Sequence, residues 1–263
     1  MNAFAPLFNR FVFPPNYRTA RAVFTPRQVG CSYEDVQINT ADGLALSAWY
    51  LPAGRPTWEM LYLHGNAGDR RDWFRAVLPL LDLGCSVLLL DYRGYGGNPG
   101  EPGETGLLLD GEAAWRWLEL RRQQSGLPAA VLGKSLGSGV ATYLAARFRP
   151  DALILDSAYT TMDNVIHGVV PWAPRALVPR SFDSLSRAVE ISCPSLLLHG
   201  ERDKLIPLHH AQRLRQSLGG PNALVAIAAA GHNDLSSQEL YYHALADFLS
   251  DPLGYTNAAG RQP

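Results

Sequence analysis

Gly133-Lys134-Ser135-Leu136-Gly137 sets a serine between two glycines, each two positions away. Ala129 to Leu132, just before it, is short, apolar and free of breakers, which suits a strand buried in a parallel sheet. Val140 to Phe148, just after it, reads as a helix. Small neighbours at a strand-to-helix junction let a strained serine stand clear of the backbone, where its hydroxyl can act as a nucleophile. The same five residues could be a Gly/Ser turn with no chemistry, and it is the flanking strand and helix that favour the chemical reading.

A serine hydroxyl attacks poorly until a base takes its proton, and an imidazole oriented by a carboxylate is the usual solution. Two downstream segments offer these groups. Gly200-Glu201-Arg202-Asp203-Lys204-Leu205-Ile206-Pro207 follows an expected strand at Ser195 to Leu198, and Gly231-His232-Asn233-Asp234 follows the last expected strand, Ala223 to Ile227. Asp203 is a candidate acid and His232 a candidate base. Asp156, at the end of the strand Ala152 to Leu155, is the rival acid, and Glu201 ranks below both. Asp203 could also cap a helix, and His232 could be a surface turn residue. The remaining histidines are read as bystanders: His209 and His210 at the surface where a helix begins, His167 and His243 without a motif, His199 as structural.

With Ser135, Asp203 and His232 in that order, and with His64-Gly65-Asn66, Asp91-Tyr92-Arg93-Gly94-Tyr95-Gly96 and Gly-x-Ser-Leu-Gly upstream of the acid, the chain resembles an α/β-hydrolase-fold serine hydrolase from about residue 34 to residue 250. It is similar to the branch that includes depalmitoylating thioesterases, esterases and serine-aminopeptidase-like hydrolases. The resemblance is what favours Asp203 as the acid, and it implies a catalytic triad of Ser135, Asp203 and His232. It also implies an oxyanion hole made by the backbone N–H groups of Leu136 and Asn66, or Ala67 if the loop register differs. His64 then braces that loop by hydrogen bonding. His64 and Asp69 also form an H-x-x-x-x-D spacing, read as coincidence, and Lys134 is read as exposed. Serine at the elbow, where dehalogenases and epoxide hydrolases of this fold resemble one another in having Asp and dienelactone hydrolases have Cys, points to esters, thioesters or amides. No metal cluster or nucleotide-binding loop is seen, so no cofactor is expected.

The elements that must position these residues alternate. Val36 to Asn39 and Leu44 to Leu51 read as strands turning at Asp42-Gly43, Met60 to Leu63 and Ser86 to Leu90 as buried strands, and Asp69 to Leu83 and Leu107 to Gln124 as helices. Leu208 to Leu218 and Ser237 to Leu249 read as further helices. This is an α/β pattern: a mostly parallel, doubly wound sheet with helices on both faces, in which ligands sit at the carboxyl ends of the strands. His64, Ser135, Asp156 and Asp203 all fall just after strands. One domain over residues 1–263 is expected, with an N-terminal arm at 1–30, a small helical cap inserted at 158–191 and a fraying tail at 251–263.

Composition narrows the class. Hydrophobic residues are 47% and charged residues 18%, enough to bury a large core, and a net charge of −1 gives no reason to invoke nucleic acid. The three cysteines, Cys31, Cys85 and Cys193, lack metal spacing and read as free thiols. Apolar runs fall short of the roughly 20 residues that span a bilayer, and no secretory leader is apparent, so a cytoplasmic location is expected. Phe4, Leu7, Phe8, Phe11 and Val12 share one helical face before Pro14-Pro15. That face either packs on its own domain, touches a membrane peripherally, or makes a homodimer contact.

The function expected is hydrolysis of a carboxylic ester or thioester of a small-molecule acyl substrate through an acyl-enzyme. The apolar cap residues Val169, Val170, Pro171, Trp172 and Leu177 favour a hydrophobic acyl group, unless they merely pack the cap onto the core. The alternatives are a peptidase or amidase of the same fold and a non-catalytic binding protein on a hydrolase scaffold.

Overall fold

Runs of Leu, Val and Ile too short to be helices form the strands, and helices form in the longer stretches between them. The computed structural model describes residues 24–175 and 178–259. The helix expected within residues 1–14 and Leu177 of the expected cap lie outside the described residues. Contacts gather into two compact units, one ending at Ala129 and the other starting at Ala130.

In the first, Glu34–Asn39 (β1) and Ala45–Leu51 (β2) form an antiparallel hairpin with Ile38 opposite Leu46. The turn between them carries the expected Asp42-Gly43, with Gly43 at φ +88°. Trp58–Leu63 (β3) and Cys85–Leu90 (β4) are buried along their whole length, as strands covered on both faces must be. β4 pairs antiparallel with β2 and parallel with β3, giving the order β1-β2-β4-β3. Arg70–Asp82 (α1) lays Phe74, Val77 and Leu80 inward and packs on β4 and β2, while Glu104–Ser125 (α2) packs on β3 and β1. A capping box starts α1: Asp69 accepts the Arg71 amide and the Asp72 carboxylate accepts the Asp69 amide.

The second unit holds Ala129–Lys134 (β5) from its second residue on, then Ala152–Asp156 (β6), Ser195–Gly200 (β7) and Asn222–Ile227 (β8), consecutive and all parallel. Parallel neighbours need a crossover, and Leu136–Phe148 (α3) supplies the first. Two helices follow β6: Met162–Val169 (α4), capped by Thr161, and Ser184–Ala188 (α5), capped by Asp183. His209–Ser217 (α6) packs on β8 and β7, and Glu239–Ser250 (α7) packs on β8. Among the described residues no helix is long and apolar enough to cross a membrane.

Two expectations change. α5 packs against α3 and α6, so the C-terminal part of the segment 158–191 belongs to the layer over the sheet and the excursion beyond it is shorter than expected. The tail does not fray over its first residues: Pro252–Ala259 forms a helix (α8) that packs on β7, β8 and α7. Asp251 accepts the Gly254 amide at 3.0 Å and Pro252 opens the first turn, an N-cap and N1 pair that is a helix-start signal. Thr256 is buried and bonds back to the Pro252 carbonyl, and Tyr255 meets Phe248 edge-on.

Candidate active site

The elbow is as sharp as its residues suggest. Ser135 sits at φ 51° and ψ −115°, a backbone conformation uncommon for any residue with a Cβ and held only where the surroundings impose it. Its amide donates to the Asp156 carbonyl at 2.8 Å and its carbonyl accepts the Ser138 amide at 2.8 Å. Gly133 is needed for close approach. A Cβ there would lie 2.5 Å from the Gly137 carbonyl oxygen and 2.6 Å from the Ala141 Cβ, so nothing larger lets α3 fold back this tightly over β5. The helix begins at Leu136, directly after the serine, which places the Leu136 amide in the first turn, where N–H groups have no intrahelical partner.

The four downstream candidates separate cleanly. His232 Nε2 lies 3.0 Å from Ser135 Oγ, and His232 Nδ1 lies 2.7 Å from Asp203 Oδ2. Asp203 is also the turn-capping residue that its position after β7 allows: its Oδ1 accepts the amides of Leu205 and Ile206 at 2.9 and 2.8 Å. Burial pushes this carboxyl up, and the hydrogen bonds from His232 and Ile206 outweigh it, holding Asp203 below the usual carboxylate value. A carboxylate that stays ionised keeps the Nδ1 proton in place and leaves Nε2 free to accept. Asp156 faces elsewhere, and Glu201 is exposed.

Three of the secondary assignments made from the sequence meet different outcomes. Lys134 is not exposed: it is buried, with Nζ 2.7 Å from Asp156 Oδ1, 3.1 Å from Ser157 Oγ and 2.9 Å from the His232 carbonyl. Asp156 Oδ2 in turn accepts from the Tyr241 hydroxyl at 3.1 Å. The signal for part of this network was in the sequence, since Lys134 and Asp156 end neighbouring parallel strands and pair in register. Tyr241 gave none. His210 is likewise not at the surface. It is buried, accepts the Thr160 amide through Nδ1, and burial pushes its pKa down to about 4. His199 is structural as expected, fully buried with Nε2 donating to the Ile206 carbonyl at 2.7 Å.

The His64-Gly65-Asn66 loop follows β3 in the other unit. His64 Nδ1 donates to the Gly65 carbonyl at 2.7 Å, so the ring braces the loop, and burial pushes its pKa down to about 4. Asn66 Oδ1 accepts from the Tyr95 hydroxyl at 2.7 Å, and Trp73 Nε1 donates to the Ala67 carbonyl at 2.7 Å. Asp69 is occupied with its helix cap and with an ion pair to Arg71. The Asp91-to-Gly97 loop is fixed by charge: buried Asp91 pairs with Arg70, while Arg93 bonds Asp110 and Asp42.

A family model described as the alpha/beta hydrolase fold matches residues 60–183. An uncharacterized protein of Mycobacterium tuberculosis is 37% identical over 222 residues, which cover 82% of this chain and 79% of that one. The chain belongs to the α/β-hydrolase family. Among solved structures, this α/β-hydrolase is similar to a Pyrococcus furiosus esterase with a TM-score of 0.76 and 23% identity, covering 89% of this chain and 98% of that one, a likeness of fold. It is also 33% identical to a Xenopus tropicalis lysophosphatidylserine lipase over 224 residues, 75% of this chain and 58% of the lipase.

Proposed function

We propose that this α/β-hydrolase is a serine hydrolase that cleaves a carboxylic ester or thioester of a hydrophobic acyl group through an acyl-enzyme. The observation that carries the reading is the unbroken chain from Ser135 Oγ through His232 to Asp203, at 3.0 and 2.7 Å. In this reading His232 Nε2 takes the Ser135 proton as Oγ attacks the carbonyl carbon. Asp203 holds the tautomer and stabilises the imidazolium, and His232 then gives the proton to the leaving alcohol or thiol. Water, deprotonated by the same imidazole, resolves the acyl-enzyme and returns the serine. The Leu136 amide at the start of α3 is one proposed donor to the oxyanion; the Asn66 amide is carried as the second on the resemblance. Three equivalents of charge movement, at Oγ, at the carbonyl oxygen and at the imidazole, are each met by a named group, and no cofactor is called for.

The preference for an acyl group rests on the apolar residues around the end of α4. Val169 is 57% exposed and Trp172 83% exposed, so neither is consumed in packing the core. The lipase relative adds support for ester chemistry. A panel of p-nitrophenyl esters and acyl thioesters against aminoacyl anilides tests the substrate class. Turnover of the esters or thioesters with negligible anilide cleavage is expected; preferential anilide cleavage would instead favour a peptidase.

A further inference from the structure

We propose that Lys134 is a positioning residue for the base: paired with Asp156, it fixes His232 by its main-chain carbonyl and ties that residue to the nucleophile turn. The inference rests on the reading of Ser135 and His232 given above. Lys134 ends β5 and stands beside Asp156, which ends β6, in a directly paired parallel register. An ammonium has three protons to donate, and all three find acceptors: Asp156 Oδ1 at 2.7 Å, Ser157 Oγ at 3.1 Å and the His232 carbonyl oxygen at 2.9 Å. Asp156 is saturated as well. Its Oδ1 also accepts from Ser157 Oγ at 3.0 Å, its Oδ2 accepts from Tyr241 on α7, and its main-chain carbonyl accepts the Ser135 amide. Two bonds therefore lead from Asp156 to the two reacting residues: one directly to the Ser135 backbone, the other through Lys134 to the His232 backbone.

Stability alone is a poor explanation of this pair, because two buried charges give up hydration that apolar side chains of similar size would not. What apolar side chains could not do is donate a hydrogen bond to a carbonyl ninety-eight positions away in the chain. His232 needs such an anchor. It follows the end of β8 in a stretch of turns, where the ladder of the sheet no longer fixes the backbone. The Asp234 carboxylate holds the Gly231 amide on one side of it, and Lys134 holds the His232 carbonyl itself. Asp203 and Ser135 set the direction of the ring; Lys134 sets where the ring starts from.

The test uses the full chain, with Ser135 sites counted by stoichiometric fluorophosphonate titration so that rates refer to competent enzyme. Lys134→Met and the double variant Lys134→Met/Asp156→Asn are compared with wild type on a p-nitrophenyl ester. The double variant removes both buried charges, so any loss it keeps belongs to the missing bond to His232 and not to an orphaned carboxylate. The expected result is a kcat per titrated site lowered about 10- to 100-fold in both variants with KM within about threefold of wild type, the scale of a misplaced catalytic group. A double variant within about threefold of wild-type kcat, or a change confined to KM, would overturn the inference. So would failure of both variants to fold, which would assign the pair to folding. A wild-type protein that does not titrate would instead overturn the reading of Ser135, and the two failures are distinct.

Discussion

Asp203 divides its carboxylate between His232 and its own turn: Oδ2 meets His232 Nδ1 at 2.7 Å while Oδ1 accepts the Leu205 and Ile206 amides. One residue therefore holds its own turn and meets the imidazole; the turn it caps is Leu205-Ile206 and not the helix, whose N-cap is Leu208 without a side-chain bond. Replacing it with Asn keeps an acceptor for the turn but can present an amide N–H₂ to Nδ1, which favours the wrong imidazole tautomer. Asp203→Asn is expected to lower kcat roughly 10³- to 10⁴-fold with a much smaller change in melting temperature. Steady-state ester kinetics beside a thermal melt check it.

The elbow glycine gives a prediction of a different kind. A methyl group on Gly133 meets backbone atoms of Gly137, which cannot swing away as a side chain could. Gly133→Ala is expected to destabilise the protein by about 1–3 kcal/mol, the cost of overpacking, and to slow fluorophosphonate labelling. Urea denaturation and labelling time courses read the two effects separately.

Acid sensitivity follows from the buried histidines. His64 and His210 both have pKa values pushed by burial from 6.5 to about 4, so between those values the unfolded chain binds protons that the folded chain does not, and stability rises with pH. Burial raises Asp91 to about 6 against the pull of Arg70, so the folded chain binds the extra proton there and stability falls as pH rises towards that value. Buried His199, also lowered, adds to the first effect, and Glu59 and Asp110, raised by burial, add to the second. Urea midpoints are expected to climb from pH 4 to pH 6.5 in wild type. In His210→Asn, which lacks one of the lowered imidazoles, the climb is expected to be shallower. A His210→Asn profile as steep as wild type would contradict this assignment.

The ion cluster under the Asp91-to-Gly97 loop separates buried from exposed partners. Arg93 bonds Asp110, which is fully buried, and Asp42, whose side chain is 40% exposed. Asp110→Ala leaves Arg93 without its buried counterion and is expected to cost about 3–5 kcal/mol. Asp42→Ala is expected to cost less than about 1 kcal/mol because water can replace the lost partner. Chemical denaturation of the two variants under one set of conditions gives the comparison.

Much of this was legible in the residues. Strands buried on both faces write themselves as continuous apolar runs, and the Ser135, Asp203 and His232 neighbourhoods each carry a turn after such a run, which is why those elements and their order could be read. α3 starts at Leu136 rather than at the expected Val140, because Gly137 and Gly139 have a low helix propensity that tertiary packing overrides. Lys134 and His210 were read as exposed because polar residues at element ends usually are, and the partners that pay for their burial, Asp156, Ser157 and Thr160, come from distant positions that local pattern cannot join. α8 was missed for a different reason: Gly254 and Asn257 mask an Asp251-Pro252 start signal that was present.

The central claim is that Ser135 is the nucleophile, and intact-protein mass spectrometry after stoichiometric fluorophosphonate treatment, with peptide mapping, tests it most directly. The account predicts a single adduct per chain, located on Ser135 and abolished in Ser135→Ala. An unmodified wild-type protein, or an adduct that persists in Ser135→Ala, would contradict it.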